Sequence, residues 1–426
     1  MSAALNVCTY VLLLFGVAST TELEKVFEWK QMAYADLPDL SKGNDPILFS
    51  RALGVTENET FQAYNNIPMG ATHHKKRLFI TIPRRRPGVP ATLNVIDLEK
   101  VAPGDRSPPL RAYPTYPINE LQPQYAPDLR RLVSVYRTKV DACERLWFVD
   151  TGMLEYPDNR LQLQRPQLWI IDLKLDQLVR RFTIPESIVP EGVGMASLTV
   201  DVEPSDCEQA YAYIPDLVAN AIHVYGMREN DMWSFSHPSF VHDRAQAAFN
   251  VAGQQFEWDD GVFSIALGQN DTEAGSKLVY YHPMVSTTEF GTFANVLQNR
   301  LIARSGNYGG LFETLGVRGP NTQSTMHHYD PRTGVLFYAE VNRNSIGCWN
   351  TRQIFDAGNH AVVHLDNREL IYPTDLTSDS DGTLWVMTNN LPIWIYSRLN
   401  ESDFNFRLWR QDPAVAILGT KCDNAP

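Results

Sequence analysis

Short apolar and aromatic runs, separated by polar turn material, recur along the whole chain. Six share one form: Leu78-Phe79-Ile80-Thr81, Leu146-Trp147-Phe148-Val149, Ala212-Tyr213-Ile214-Pro215, Leu278-Val279-Tyr280-Tyr281, Leu336-Phe337-Tyr338-Ala339 and Leu384-Trp385-Val386-Met387. Several follow turn signals, as in Asp330-Pro331-Arg332-Thr333-Gly334 and Asp379-Ser380-Asp381-Gly382. A second run trails most of them: Leu93 to Asp97, Leu168 to Asp172, Ala221 to Tyr225, Ile346 to Trp349 and Ile393 to Tyr396. The fourth unit has no clear partner run, and Thr287 to Val296 is assigned to it. Long helical periodicity is scarce, and runs this short between turn residues read as strands. Each unit thus reads as a buried inner strand, a loop, and a strand whose aromatics pack between sheets. One small sheet cannot cover both of its faces, whereas six stacked radially cover them and protect the edges. The pattern predicts an all-β, six-bladed β-propeller. No Pro/Ser linker or charge block divides the chain, so residues 20–426 read as one propeller domain.

The N-terminus and the cysteines set the compartment. Val11 to Ala18 is a short apolar run ending in small residues, which suits a cleaved signal peptide over residues 1–19. It is too short to span a bilayer, and no later segment is long enough, so no membrane anchor is expected. Cys8 leaves with that peptide. Cys143, Cys207, Cys348 and Cys422 remain, an even number suggesting two disulfides with three possible connectivities. The sequons at Asn58, Asn270 and Asn400 fit a secreted, extracellular glycoprotein. Net charge is -12, which argues against a nucleic-acid partner, since phosphate recognition needs clustered Lys and Arg.

Several motifs in order give a specific likeness. Tyr64-Asn65-Asn66-Ile67-Pro68-Met69-Gly70, Arg77 to Arg84 followed by Gly88 to Leu93, Cys143 to Gly152, Cys348-Trp349-Asn350-Thr351 and Ser380 to Met387 together resemble the insect Yellow/major royal jelly protein family. The likeness runs from about Phe27 to Cys422. It implies a six-bladed propeller and the pairings Cys143–Cys207 and Cys348–Cys422. It also implies roles as diverse as pigmentation and cuticle maturation, dopachrome conversion, amine binding and nutrition, so fold alone does not fix the activity.

In amine-binding relatives a Thr and an Asn of the last repeat line a pocket at the channel mouth. The matching positions are Thr374 and Asn389, whose hydroxyl and amide suit a small aromatic amine or catechol ligand. Where those relatives carry an aromatic two positions later, this chain has Leu391, which removes a stacking surface. Asp150 and Asp375 stand beside inner strands and are weak candidates for a base in a proton-shifting isomerisation.

Asp379-Ser380-Asp381-Gly382 lacks the later ligands of a calcium loop and reads as a turn. The adjacent pairs His73-His74 and His327-His328 would point to opposite faces of a strand, so no metal site is expected. Arg84-Arg85-Arg86 reads as a solvated loop, with contact to an acidic cuticle matrix as its functional reading.

Three readings follow. The leading one is a secreted pigmentation or cuticle protein that binds or isomerises catechol-derived molecules; isomerisation would be dopachrome tautomerase-like and need no cofactor. The second is amine binding without turnover. The third is a calcium-dependent, lactonase-like hydrolase, for which no ligand signature is assembled.

Overall fold

The computed structural model describes residues 22–35, 37, 61–157, 159–190 and 194–423. The proposed signal segment 1–19, Cys8 and Asn58 lie outside the described residues. Six four-stranded antiparallel sheets form the blades, as expected. Their second strands are the six recurrent runs: Arg77–Thr81, Arg145–Asp150, Tyr211–Asp216, Ser276–Pro283, Val335–Glu340 and Leu384–Thr388. Neighbouring sheets cover both faces of these strands. They are therefore apolar almost throughout instead of alternating, and Leu78, Trp147, Tyr213, Val279, Phe337 and Val386 are all fully buried.

The recurrent runs are second strands, not the channel-lining ones. The innermost strands are Gly70–His74, Val135–Val140, Thr199–Asp201, Val262–Asp271, Ser324–Asp330 and Pro373–Ser378. They are rich in Ser, Thr and His because they splay apart around the channel and are joined by side chains across the gaps. Thr72 Oγ1 donates to the Thr138 carbonyl (2.9 Å), Thr199 Oγ1 to Ile265 (2.6 Å) and Thr325 Oγ1 to Pro373 (2.8 Å). The Asp375 carboxylate closes the ring by accepting from the Ala71 amide at 2.9 Å.

Blade 6 corrects the expectation at Ile393 to Tyr396. Leu391–Tyr396 is a short helix, entered from Asn390 in the left-handed region (φ 52°). Pro392 sits in its first turn, where a missing amide hydrogen costs nothing. The third strand of that blade is Phe406–Gln411, and its outer strand is Glu24–Trp29 from the other end of the chain. This pairing closes the ring. The disulfides join Cys143 to Cys207 and Cys348 to Cys422. The first links the turns after the innermost strands of blades 2 and 3, and the second fastens the C-terminal tail to blade 5. Among the described residues no helix is long and apolar enough to cross a membrane.

Candidate functional site

Antiparallel order places the starts of the innermost strands and the loops between second and third strands at one end of the channel. Thr374 begins the innermost strand of blade 6, and Asn389 and Leu391 follow its second strand, so all three share that end. Thr374 and Asn389 meet on Met69: its sulfur lies 3.6 Å from Thr374 Oγ1 and 3.3 Å from Asn389 Nδ2. Both are fully buried. Asn389 also donates to the Pro68 carbonyl at 2.8 Å and accepts from the Leu391 amide at 3.1 Å. Leu391 is buried in the same apolar cluster as Tyr372 and Trp394.

Asp375 and Asp150 are both engaged in holding backbone. Asp150 accepts from the amides of Val133, Ser134 and Gly152 and from the Gln164 side chain. Besides the Ala71 amide, Asp375 faces Arg137, with Nε 3.6 Å from Oδ1. Burial raises both carboxyls, against backbone hydrogen bonds to Asp150 and the Arg137 charge beside Asp375.

Arg137 spans the channel. Its guanidinium donates to the carbonyls of Ala196 (2.8 Å) and Thr374, and lies 5.0 Å over the Phe263 ring. Arg137 also helps line a central cavity of about 150 Å³, together with Lys139, Met326, His327, His328 and Asp375. Burial, and then the Lys139 charge, hold His328 well below the usual imidazole range, and its Nε2 has no hydrogen-bond partner.

At the mouth, loops from several blades bring together groups that no local spacing announces. Arg85 follows the second strand of blade 1, Tyr136 starts blade 2, and Glu155 lies on the Met153–Tyr156 strand of a hairpin. Asp260 precedes blade 4, and Tyr372 precedes blade 6. Tyr136 donates to Glu155 Oε1 at 2.6 Å. Arg85 feels Tyr136, Glu155, Tyr372 and Asp260; burial pulls its pKa down and these acidic neighbours more than offset that. Asp260 is half-buried, and burial pushes its carboxyl up to about 6, against the Arg85 charge and with Asp259 and Glu155 adding to the rise. Trp258 stands edge-on to Tyr372 at 6.0 Å and donates to the Tyr396 hydroxyl at 2.7 Å. Trp258 and Tyr396 keep exposed ring surface there, whereas Tyr372 is buried.

The arginine run is not a solvated loop. Arg84 is 1% exposed and donates to the carbonyls of Val89, Leu132, Val133 and Asn119. Arg86 stacks on Trp394 at 3.7 Å. This placement leaves Arg84 no surface to offer a matrix polymer. The Asp379 turn forms as expected, its carboxylate accepting from Asp381, Thr383, Trp385 and His73.

His282, Glu289 and His327 offer ligand atoms all within 4.8 Å of one another, deep between blades 4 and 5. Arg318 Nη1 already bonds that carboxylate at 2.7 Å, so a cation is supplied by the protein itself. Asn270 and Asn400 are exposed.

The family model described as Major royal jelly protein matches residues 133–422. The chain is 48% identical over 408 residues to L-dopachrome tautomerase yellow-f of Drosophila melanogaster, covering 94% of each chain. It is 32% identical over 414 residues to Dopaminechrome tautomerase of the same organism, covering 96% of this chain and 86% of that protein. With Protein yellow of Drosophila melanogaster it shares 29% identity over 405 residues, covering 94% and 71%. A family model spanning most of the propeller and a relative matched end to end lead to one assignment: the chain belongs to the Yellow/major royal jelly protein family.

Proposed function

We propose that this protein is an exported tautomerase that isomerises aminochromes derived from catechols, dopachrome foremost, in melanin-type pigmentation or cuticle maturation. The observation that carries this reading is the near-full-length similarity to L-dopachrome tautomerase yellow-f. The mouth chemistry supports it. An aminochrome is a flat, conjugated quinone, and dopachrome adds a carboxylate. Trp258, half-buried, offers ring surface, and Arg85, also half-buried, offers a cation for an anionic group or a quinone oxygen. Thr374, Asn389 and Leu391 form the floor beneath the ligand, fixing Met69 and the loop ends rather than reaching into the opening. The isomerisation moves protons within one molecule and needs no redox cofactor. Export through residues 1–19 fits the two disulfides, and Asn270 and Asn400 are the described positions suited to glycans.

Purified protein mixed with freshly made dopachrome should accelerate loss of its visible colour well beyond the uncatalysed rate. A rate equal to the uncatalysed one would overturn the enzyme. Calorimetric binding of dopamine or serotonin without turnover would then favour the amine carrier.

A further inference from the structure

The tautomerase reading leaves open which group moves the proton. We infer that Asp260 is the general base, taking a proton from the saturated five-membered ring of a bound aminochrome at the channel mouth. This rests on the tautomerase reading and goes further by naming a residue.

The other buried or half-buried carboxylates near this end are occupied, and Asp259, which is also unbonded among the described residues, is exposed. Asp150 binds three backbone amides, Asp375 binds the Ala71 amide and faces Arg137, and Glu155 accepts the Tyr136 hydroxyl. Asp260 differs: among the described residues its side chain has neither a hydrogen bond nor an ion pair. Yet its backbone is held fast. Gly261 donates to the Leu217 carbonyl at 2.8 Å, Met284 to Gly261 at 2.9 Å and Val285 to Asp260 at 3.1 Å. A Cβ on Gly261 would come within 2.0 Å of Asn220 Oδ1 and 2.6 Å of the Phe240 carbonyl oxygen, so the backbone packs too tightly there for any other residue. A fixed backbone carrying an uncommitted, half-buried carboxylate is what a positioned base requires.

The groups facing Asp260 come from several elements: Arg85 from blade 1, Glu155 from the blade 2 hairpin, Tyr372 before blade 6, and its neighbour Asp259. The Arg85 side chain also lacks a hydrogen bond or ion pair among the described residues, leaving its guanidinium for a quinone oxygen or the substrate carboxylate. The step balances within the substrate. The C–H bond breaks and the proton goes to Asp260. The bonding pair enters the conjugated system, so the quinone is reduced to a catechol as the five-membered ring is oxidised to the aromatic level. A second proton then leaves the neighbouring ring carbon, the two catechol oxygens each take up a proton, and composition is unchanged. A carboxyl titrating at about 6 is ionised at neutral pH yet more basic than an ordinary aspartate, which strengthens it as a base.

The test uses full-length secreted protein and dopachrome, with the uncatalysed rate subtracted between pH 5 and pH 8. The wild type should show kcat/KM rising through about pH 6 to a plateau. Asp260→Asn should lower kcat by about a hundredfold or more, within the range of general-base catalysis, change KM little, and abolish that rise. Asp260→Glu should recover part of the rate, and Asp259→Asn should keep the acid limb but move it slightly to lower pH, since the Asp259 charge adds to the rise at Asp260. Circular dichroism establishes that each variant is folded. A folded Asp260→Asn enzyme that keeps both wild-type rate and acid limb would overturn the assignment while leaving the tautomerase intact. A wild type that does not accelerate dopachrome loss would instead overturn the function reading itself, before any variant is made.

Discussion

Two regions of this propeller hold carboxylates among cationic groups, and they treat them in opposite ways. Between blades 4 and 5, Glu289 is fully buried and faces His282 at 3.1 Å, His327 at 3.1 Å and Arg318 at 2.7 Å. Burial pushes its carboxyl up, and the facing imidazoles more than offset this, down to about 2. Arg318 is tied in turn to the carbonyls of Ser286 and Thr322. At the mouth, the Asp260 and Arg85 side chains sense each other but bond nothing among the described residues. The charge-paired cluster behaves as structure even with Glu289 Oε1 and His327 Nε2 lacking a hydrogen bond, whereas the two side chains at the mouth are unbonded among the described residues. Density of titratable groups alone would have pointed to the cluster between blades 4 and 5.

The largest effect should come from breaking the charge-paired cluster. Arg318→Met leaves Glu289 without its guanidinium, and removing one partner of a buried pair costs about 3–5 kcal/mol. Thermal unfolding at a fixed scan rate should fall by about 4–6 °C. Adding Glu289→Gln should restore part of the loss because both charges then leave together. A drop under about 2 °C would mean that the imidazoles suffice and the two regions are less different than their bonding suggests.

Asp260→Asn should do the reverse to stability. The folded-state pKa is raised by burial, so between about pH 4 and 6 the folded protein binds the extra proton. Stability therefore falls as pH rises through that window, and the penalty is complete above pH 6. Half-buried placement screens it to roughly 1 kcal/mol. The variant should melt slightly higher than wild type at pH 7 and equal to it near pH 4. A lower melting temperature at pH 7 would show that the ionised carboxylate holds the mouth together, and the contrast with Glu289 would collapse.

The blade count was legible because second strands, covered on both faces, leave continuous apolar runs such as Leu336 to Ala339. The innermost strands were not legible. Thr199–Asp201 and Pro373–Ser378 are joined across the channel by hydroxyls and a carboxylate, so they carry neither an apolar run nor a clean alternation. Ile393 to Tyr396 looked like a strand because its apolar content is right, but Pro392 and the left-handed Asn390 set a helix. Thr374 and Asn389 were found through family likeness, and they do meet, on Met69. Arg85, Asp260 and Tyr372 could not be found by spacing, since closure of the ring alone brings blades 1, 4 and 6 to one opening. The arginine run was visible, but its burial followed from carbonyls more than 30 residues away, including Asn119 and Leu132.

The smallest effect, and the one that separates floor from opening, belongs to Thr374→Val. The change keeps volume and removes only the hydroxyl, which lies 3.3 Å from Arg137 Nη2 and 3.6 Å from the Met69 sulfur. Arg137 keeps its bonds to the carbonyls of Thr374 and Ala196, so the fold should lose no more than about 1 kcal/mol. If Thr374 belongs to the floor, dopachrome KM should rise by about threefold or less, because the hydroxyl acts only through Met69 and Arg137. Turnover should stay within about twofold and the pH profile should be unmoved, since Asp260 and Arg85 are untouched. A large fall in kcat at constant KM would mean that the hydroxyl meets the reacting molecule directly. In that case the opening extends down to the buried Thr374–Asn389 pair, and the line drawn here between committed and available polar groups would have to move inward.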